Sequence, residues 1–229
     1  MFTAYSPSHL VVLAVFAAGT LGLLLVGPQV RGTPRERPMS DAIAWATVAF
    51  GSLSTLTALV PFAVDNSLPL QICDLAWIFV AWALLTRHPL ATALTYYWGL
   101  TLSVQALVQP TLTTPFPHLE FFAFWAKHLL IVWGAVHLCL GLRHGPDWAA
   151  YRRAVAWTSG WLVLVLALNA LLGSNYGYVN AKPSEATVLD LLGPWPVYLV
   201  AEMVIVLVGW ALITLPWTGL PRRRSEAEP

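Results

Sequence analysis

The sequence predicts an all-α, polytopic membrane protein with seven transmembrane helices, and three observations lead to this prediction. Of the 229 residues, 58% are hydrophobic and only 10% are charged, whereas charged residues make up about 25% of a soluble domain. Seven apolar runs approach or exceed the roughly 20 residues that cross a bilayer. The basic residues are concentrated in alternate loops between these runs.

Each apolar run predicts one helix. In chain order the runs are residues 9–26, 42–64, 70–86, 91–108, 121–142, 153–172 and 197–217. The third run is the shortest and carries Asp74 near its start. Turn-forming residues separate the runs, and Asp147 stands where it would cap the sixth helix.

The distribution of basic residues predicts the orientation of the bundle. Ten of the 12 basic residues fall in one set of loops and in the tail: Arg31, Arg35, Arg37, Arg87, Arg143, Arg152, Arg153, Arg222, Arg223 and Arg224. The other loops hold only Lys182, and Lys127 lies within a run. Because basic loops favour the cytoplasm, we expect the N-terminus outside and the C-terminus inside a multi-pass cell-membrane protein.

The sequence predicts a single domain. Residues 1–220 form the predicted seven-helix unit, and residues 221–229, which are polar and rich in arginine, form a predicted disordered tail. The first run lacks the preceding positive charge of a signal peptide, so we interpret it as a retained helix. No internal repeat is evident.

Polar residues inside the predicted spans are costly, so each is a functional hypothesis. Most fall in the outer halves of their helices: Cys73, Asp74, Gln105, Gln109, Lys127, His128, Asn169 and Glu202. Tyr97, Thr101, Gln105 and Gln109 recur every four residues and would share a helix face. This pattern predicts a polar cavity that opens toward the outer leaflet between the third, fourth, fifth and seventh helices.

Cys73 is the candidate nucleophile. It occupies a predicted first helical turn, and a helix N-terminus beside a histidine favours a reactive thiolate. His128 is the candidate base. The alternatives are that Cys73 is a small buried apolar residue, and that His128 is a histidine bonded to a neighbouring helix. We expect Lys127 to extend its charge toward the surface.

Residues in the outer loops are candidates for substrate binding. The loop after the sixth run is about two dozen residues long, which favours a lid or binding element. It contains Asn175, Tyr176 and Lys182. Lys182 would pair with a phospholipid phosphate. Gln109, in the fourth run, is a further candidate for binding substrate.

Other function classes lack their motifs. There is no HExxH or CxxC pattern, so no structural metal is predicted. The seventh run has no lysine for a retinal Schiff base, and no Walker A or GxGxxG sequence indicates a nucleotide. No basic stripe or RNA-binding motif indicates a nucleic acid. We predict no cofactor, and no disulfide between Cys73 and Cys139.

Five motifs occur together in order: LPLQICDL, YYWGLTLSVQALVQP, FPHLEFFAFWAKHLLIV, SNYGYVNAKP and VLDLLGPWPVYL. Their succession resembles the YwaF family of bacterial membrane proteins and its animal relatives, the transmembrane protein 164 type acyltransferases. The resemblance covers about residues 40–217. It implies acyl transfer from a diacyl phospholipid to a lysophospholipid through a cysteine and a histidine, at the positions of Cys73 and His128. Lys127 replaces a small residue of the family pattern.

The leading hypothesis is therefore a membrane enzyme that transfers or hydrolyses lipid acyl chains. Cys73 would form a thioester, with His128 as base and then acid. The sequence-based candidates for hydrogen-bonding the oxyanion are Gln105, Asn169 and Tyr97. Glu202 or Asp74 would orient the histidine.

Two alternatives remain open. The polar residues would also suit a small-solute or proton-coupled carrier or channel, although the chain lacks the repeats of many transporters. A membrane scaffold without chemistry is the third possibility. The lipid head group, the acyl chain, the acceptor and the oligomeric state are not determined by the sequence.

Overall fold

The computed structural model describes residues 2–65, 67–183 and 187–219, and within these residues it contains helices and no strands. The principal helices are α1 (Pro7–Val30), α2 (Glu36–Ala58), α3 (Ile72–Thr86), α4 (89–108), α5 (Leu119–Gly141), α6 (Trp148–Leu172) and α7 (Val197–Thr218). Short 3₁₀ turns occur at Tyr176–Tyr178 and Val188–Leu192. The predicted tail at 221–229 lies outside the described residues.

Two helices contain π-helical turns. In α4, Trp98–Leu102 is π-helical and joins the α-helical stretches Pro89–Tyr97 and Ser103–Val108. In α5, the final turns Val136–Gly141 are π-helical. A π turn takes in additional residues, so side chains beyond it are rotated relative to the face that an uninterrupted α-helix would present.

Each predicted run corresponds to one helix, and the largest difference is in α2. This helix begins at Glu36 and ends at Ala58, whereas the apolar run predicts residues 42–64. Pro38 lies in the first turn, where a missing N–H costs little, and Pro61 follows the helix end. The predicted cap of α6 is confirmed, since the Asp147 carboxylate accepts a hydrogen bond from the Ala150 N–H.

Within the described residues, four helices are long and apolar enough to cross a membrane: α1, α5, α6 and α7. Helix α3 is apolar but has only 15 residues, and α2 and α4 are not among the four. Successive helices run in alternating directions. We call the end of the bundle where α3 begins the upper end, and the opposite end, where α3 meets Arg87, the lower end.

Helix α5 is the centre of the bundle. Of its most hydrophobic 18-residue stretch, 67% is buried by other helices, compared with 6% for α1, 11% for α6 and 17% for α7. Helix α5 contacts α1, α2, α3 and α4, while α6 packs on α4 and α7 packs on α6. The apolar outer faces of α1, α6 and α7 are therefore free to contact lipid.

The lower ends of α1 and α5 meet at two glycines. A methyl group on Gly27 would lie only 2.6 Å from the Gly141 Cα. Such a distance is shorter than a carbon–carbon contact, so the close crossing requires glycine.

We expect Gly27→Ala to lower the free energy of unfolding by about 1–3 kcal/mol, because the added methyl group separates α1 from α5. Thermal unfolding of the purified protein in detergent measures this change. Gly22→Ala, on the same helix with nothing within 4 Å of the added methyl group, is the matched control. Equal stability of the two variants would contradict the proposed crossing.

Candidate functional site

Cys73 lies in the first turn of α3, at the upper end of the bundle. Its thiol donates a hydrogen bond to the hydroxyl of Ser103 on α4, with 3.8 Å between Sγ and Oγ. Ser103 is fully buried, and Cys73 is partly buried. The nucleophile candidate is therefore held by a hydroxyl group inside the bundle.

An ion pair lies next to this thiol. The Lys127 Nζ is 2.9 Å from the Asp74 Oδ1, and the two side chains are only 8% and 18% exposed. The expectation that Lys127 extends toward the surface is wrong, because an acidic partner is available within the protein. The Asp74 carboxylate contacts Lys127, and it makes no hydrogen bond to an imidazole in the described part of the chain.

His128 is buried on α5 with one ring nitrogen engaged. Its Nδ1 is 2.8 Å from the Phe124 carbonyl oxygen. A carbonyl oxygen only accepts hydrogen bonds, so Nδ1 carries the hydrogen and the lone pair of the neutral ring lies on Nε2. Within residues 2–65, 67–183 and 187–219, Nε2 has no hydrogen-bond partner, and none joins His128 to Cys73.

The helices nevertheless bring Cys73, Ser103, Lys127 and His128 to a similar height. The ion pair aligns the first turn of α3 with Lys127. Gly99 of α4 packs against the α5 turn between Ile131 and Ala135. Ser103 lies about one turn above Gly99 on α4. His128 lies about one turn above Ile131 on α5. The site therefore draws on three neighbouring helices.

Ser103 was missed by the sequence analysis, which grouped Tyr97 with Gln105 on one face of α4. The π turn at Trp98–Leu102 separates these residues and changes their relative orientation. In the sequence, the sign of Ser103 as a site residue is its small hydroxyl side chain directly after Trp98–Leu102. A sequence does not reveal a π turn by itself.

The other α4 candidates lie elsewhere. The Tyr97 hydroxyl is 2.7 Å from the Thr214 hydroxyl of α7, in a fully buried contact. The Gln105 side chain is exposed. Neither residue has a contact with Cys73 among the hydrogen bonds of the described chain, so the expected oxyanion donors on α4 are not at the thiol in this structure.

Asn169 organises the loop that follows α6. Its amide nitrogen donates to the Tyr176 carbonyl and to the Asn180 side chain, and its amide oxygen accepts from Ser174 and from the Tyr176 N–H, all at 2.8–2.9 Å. These four bonds use its two hydrogens and two lone pairs. The expected oxyanion role of Asn169 is therefore replaced by a structural one.

The same loop braces the entry to α3. The Tyr176 hydroxyl donates to the Val64 carbonyl at 2.8 Å and accepts from the Leu68 N–H at 2.9 Å. The Gly177 N–H donates to the Gln71 side chain at 2.9 Å. Burial raises the pKa of Tyr176, which keeps the donating hydroxyl protonated. Tyr176 is a brace for the segment before Cys73, and this corrects its expected role in binding substrate.

The remaining substrate-binding candidates are Asn175, Lys182 and Gln109. The first two have partners within the chain, and the third is exposed. Asn175 bonds to Asn180 and Ala181 and folds its own loop. Lys182 lies 3.4 Å from Asp190, whose pKa is lowered by the Thr187 N–H and by Lys182. Gln109 is exposed.

Glu202 is a half-buried residue of α7. Its carboxylate makes no hydrogen bond or ion pair with the residues that the structure describes. The expected contact between Glu202 and the imidazole is therefore not formed, and α7 packs on α6.

A second polar cluster lies at the lower end. Arg87 donates to the Ser40 hydroxyl at 2.8 Å, and Ser40 is 3.0 Å from His137 Nε2. His137 and Ser40 are completely buried. Nine residues separate His137 from His128 on α5, so this cluster is distinct from the group around Cys73.

In the part of the chain that the structure describes, the Cys73 group forms no metal cluster, and one cleft lies away from it. Within the described residues no three His, Cys, Asp or Glu side chains are grouped as metal ligands would be. A cleft of about 540 Å³ lies at the lower end, lined by Val26, Gln29, Val30, Thr33, Pro34 and Arg35. It contains none of the predicted site residues.

Comparison with known proteins now identifies the family. The sequence matches the profile of the TMEM164 family over residues 4–214, which is most of the chain. The chain belongs to the TMEM164 family. The predicted resemblance to transmembrane protein 164 type proteins is thereby confirmed, whereas the name YwaF remains a prediction.

One relative extends this comparison. An uncharacterized protein of Treponema pallidum (strain Nichols) is 29% identical over 166 residues, which is 70% of this chain and 66% of that protein. The chain thus spans slightly less than two thirds of that relative. No solved structure matches this TMEM164 family member.

We expect Tyr176→Phe to loosen the entry to α3. The lost hydroxyl leaves the Val64 carbonyl and the Leu68 N–H without this partner, at a cost of about 1–3 kcal/mol. Hydrogen exchange followed by mass spectrometry should be faster at residues 67–72. Tyr151→Phe, whose hydroxyl bonds to the Leu207 carbonyl, is the matched control and should leave this segment unchanged. Unaltered exchange in Tyr176→Phe would count against the brace.

Proposed function

We propose that the protein is a membrane-embedded lipid acyltransferase or acyl hydrolase that uses Cys73 as its nucleophile. The observation that carries this proposal is the group at the upper end of the bundle. There a thiol in a first helical turn lies with a buried hydroxyl, an ion pair and, on the adjacent helix, an imidazole whose Nε2 lone pair is free. Membership of a membrane-protein family is consistent with a lipid substrate.

The first half-reaction forms a thioester. The Cys73 thiol passes its proton to His128 Nε2, and Sγ attacks the carbonyl carbon of a phospholipid acyl ester. The ester C–O bond breaks as the tetrahedral intermediate collapses, and the lysophospholipid alcohol leaves with the proton from His128. Catalytic hydrogen bonds are often long before the substrate binds, so the absence of a direct Cys73–His128 bond is compatible with this step.

The second half-reaction restores the thiol. The hydroxyl of a lysophospholipid or of water gives its proton to His128 and attacks the thioester carbonyl. The C–S bond breaks, the acyl chain leaves on the acceptor oxygen, and Sγ regains the proton. A lysophospholipid acceptor makes the enzyme a transferase, whereas water makes it a hydrolase.

The proposed membrane arrangement has all seven helices crossing, with the upper end outside and the C-terminus in the cytoplasm. The basic loops at the lower end support this orientation. It places the Cys73 group in the outer half of the bilayer, where outer-leaflet phospholipids have access. In this arrangement α3 begins below the surface of the membrane. The hydrogen bonds of Tyr176 and the Asp74–Lys127 ion pair then hold the segment that precedes this short helix and its first turn in place.

Alkaline phosphatase fusions test this topology, since phosphatase is active only outside the cytoplasm. We expect active fusions after Ser67 and Thr114, and inactive fusions after Gly32 and His88. These four positions flank α2, α3 and α4, the helices whose length and composition do not by themselves establish a span. The same activity on both sides of any one of them would contradict its crossing.

The acyl-enzyme is tested by intact mass spectrometry after incubation with diacyl phosphatidylcholine. Wild-type protein should gain the mass of one acyl chain, and hydroxylamine should remove it because thioesters are labile to hydroxylamine. Cys73→Ala should gain no adduct. His128→Ala should form it about 10²–10⁴ times more slowly, as expected for loss of a general base.

Cys139→Ala provides the matched control, because Cys139 is the other cysteine and is buried near the lower end. It should acquire the adduct like the wild type. An adduct that persists in Cys73→Ala, or no adduct in wild-type protein over a range of phospholipids, would contradict the acyl-enzyme. The second result would favour a carrier, for which Glu202 would then be the residue to test.

A further inference from the structure

The proposed reaction lacks an obvious group to stabilise negative charge. Attack on an ester places charge on the carbonyl oxygen, and enzymes meet this charge with prearranged donors. The donors expected from the sequence are engaged or remote: Tyr97 bonds to Thr214, Asn169 uses its full hydrogen-bonding capacity, and Gln105 is exposed. The donor must therefore come from elsewhere.

Lys127 is a buried donor next to the residues of the proposed reaction. It forms a buried ion pair with Asp74, the residue directly after Cys73, and it directly precedes His128. An ammonium group carries three hydrogens, and Asp74 is the only hydrogen-bond partner of Nζ among the described residues. Two hydrogens are thus available to a bound substrate.

We propose that Lys127 is a catalytic residue that stabilises the anionic charge developed at Cys73 and then on the ester carbonyl oxygen, while Asp74 holds the ammonium in place. This inference rests on the proposed function. A fixed charge acts strongly in such a site, because the surrounding medium is poorly polarisable and the group need not reorganise during the reaction.

Stability alone does not account for this ion pair. Buried ion pairs are often no more stable than well-packed apolar pairs, because both charges must leave water. Charged groups within membrane helices are costly and usually mark function. Removing both charges together should consequently leave a folded protein in which the chemical contribution of Lys127 can be measured.

The experiment compares wild type with Lys127→Met/Asp74→Asn and with Lys127→Arg. Acylation is followed as a pre-steady-state burst with p-nitrophenyl palmitate, an ester that contains no phosphate, and by mass spectrometry with diacyl phosphatidylcholine. Thermal unfolding reports on folding. Arg37→Met/Asp41→Asn, which neutralises a more exposed ion pair at the lower end of α2, is the matched control.

We expect the Lys127→Met/Asp74→Asn protein to unfold near the wild-type temperature and to acylate about 10²–10³ times more slowly with both esters. The maximal rate should fall, with little change in the ester concentration that gives half of it. Lys127→Arg should recover part of the rate because it keeps a donor and a charge. The control variant should react like the wild type.

Two results would overturn the inference. A wild-type rate in the Lys127→Met/Asp74→Asn protein would show that the ion pair is structural. Slowing only with phosphatidylcholine would show that Lys127 binds the phosphate and does not stabilise the oxyanion. A wild-type protein that forms no thioester with either ester would instead defeat the proposed function, so the two failures are distinguishable.

Discussion

The ion pair between Asp74 and Lys127 is the constraint around which the upper half of the bundle is arranged. It joins the first turn of α3 to the central helix α5 at a point that is largely hidden from solvent. A charge left without its partner there would cost about 3–5 kcal/mol. The pairing therefore restricts how α3 can slide along α5. Cys73 directly precedes Asp74, and His128 directly follows Lys127. The ion pair therefore also restricts the distance between the thiol and the imidazole.

The loop after α6 supports the same arrangement from above. In the proposed membrane arrangement, the 15 residues of α3 cover only part of the bilayer, so the segment before it must satisfy its backbone polar groups within the protein. Tyr176 and Gly177 provide those hydrogen bonds, and Asn169 holds their loop in shape. Residues that resemble substrate-binding groups in the sequence thus support the segment that leads to Cys73. Scaffolding of this kind can hold reactive groups within the small tolerances that catalysis requires.

The helices were predictable because each depends on local chemistry. Long apolar runs form helices in lipid, where backbone groups must pair within the segment, and Asp147 caps α6 as its position indicates. The prediction for Tyr97 and Gln105 was wrong because it assumed an uninterrupted α-helix. The outward orientation of Lys127 was wrong because the acidic partner lies 53 residues earlier in the chain. Both errors concern the direction of a side chain and not the existence of a helix.

By itself, the sequence determined that this protein is a helical membrane protein and, to within about six residues, where its helices begin and end. The choice of Cys73 and His128 as the reactive pair stays a prediction. Hydropathy, proline positions and motif order suffice for these conclusions because they are properties of contiguous residues. Only the tertiary structure decided that Ser103 and the Asp74–Lys127 pair accompany Cys73, and that Tyr176 and Asn169 serve the loop. Those outcomes depend on how the π turn rotates α4 and on contacts between helices far apart in the chain, which are set by packing.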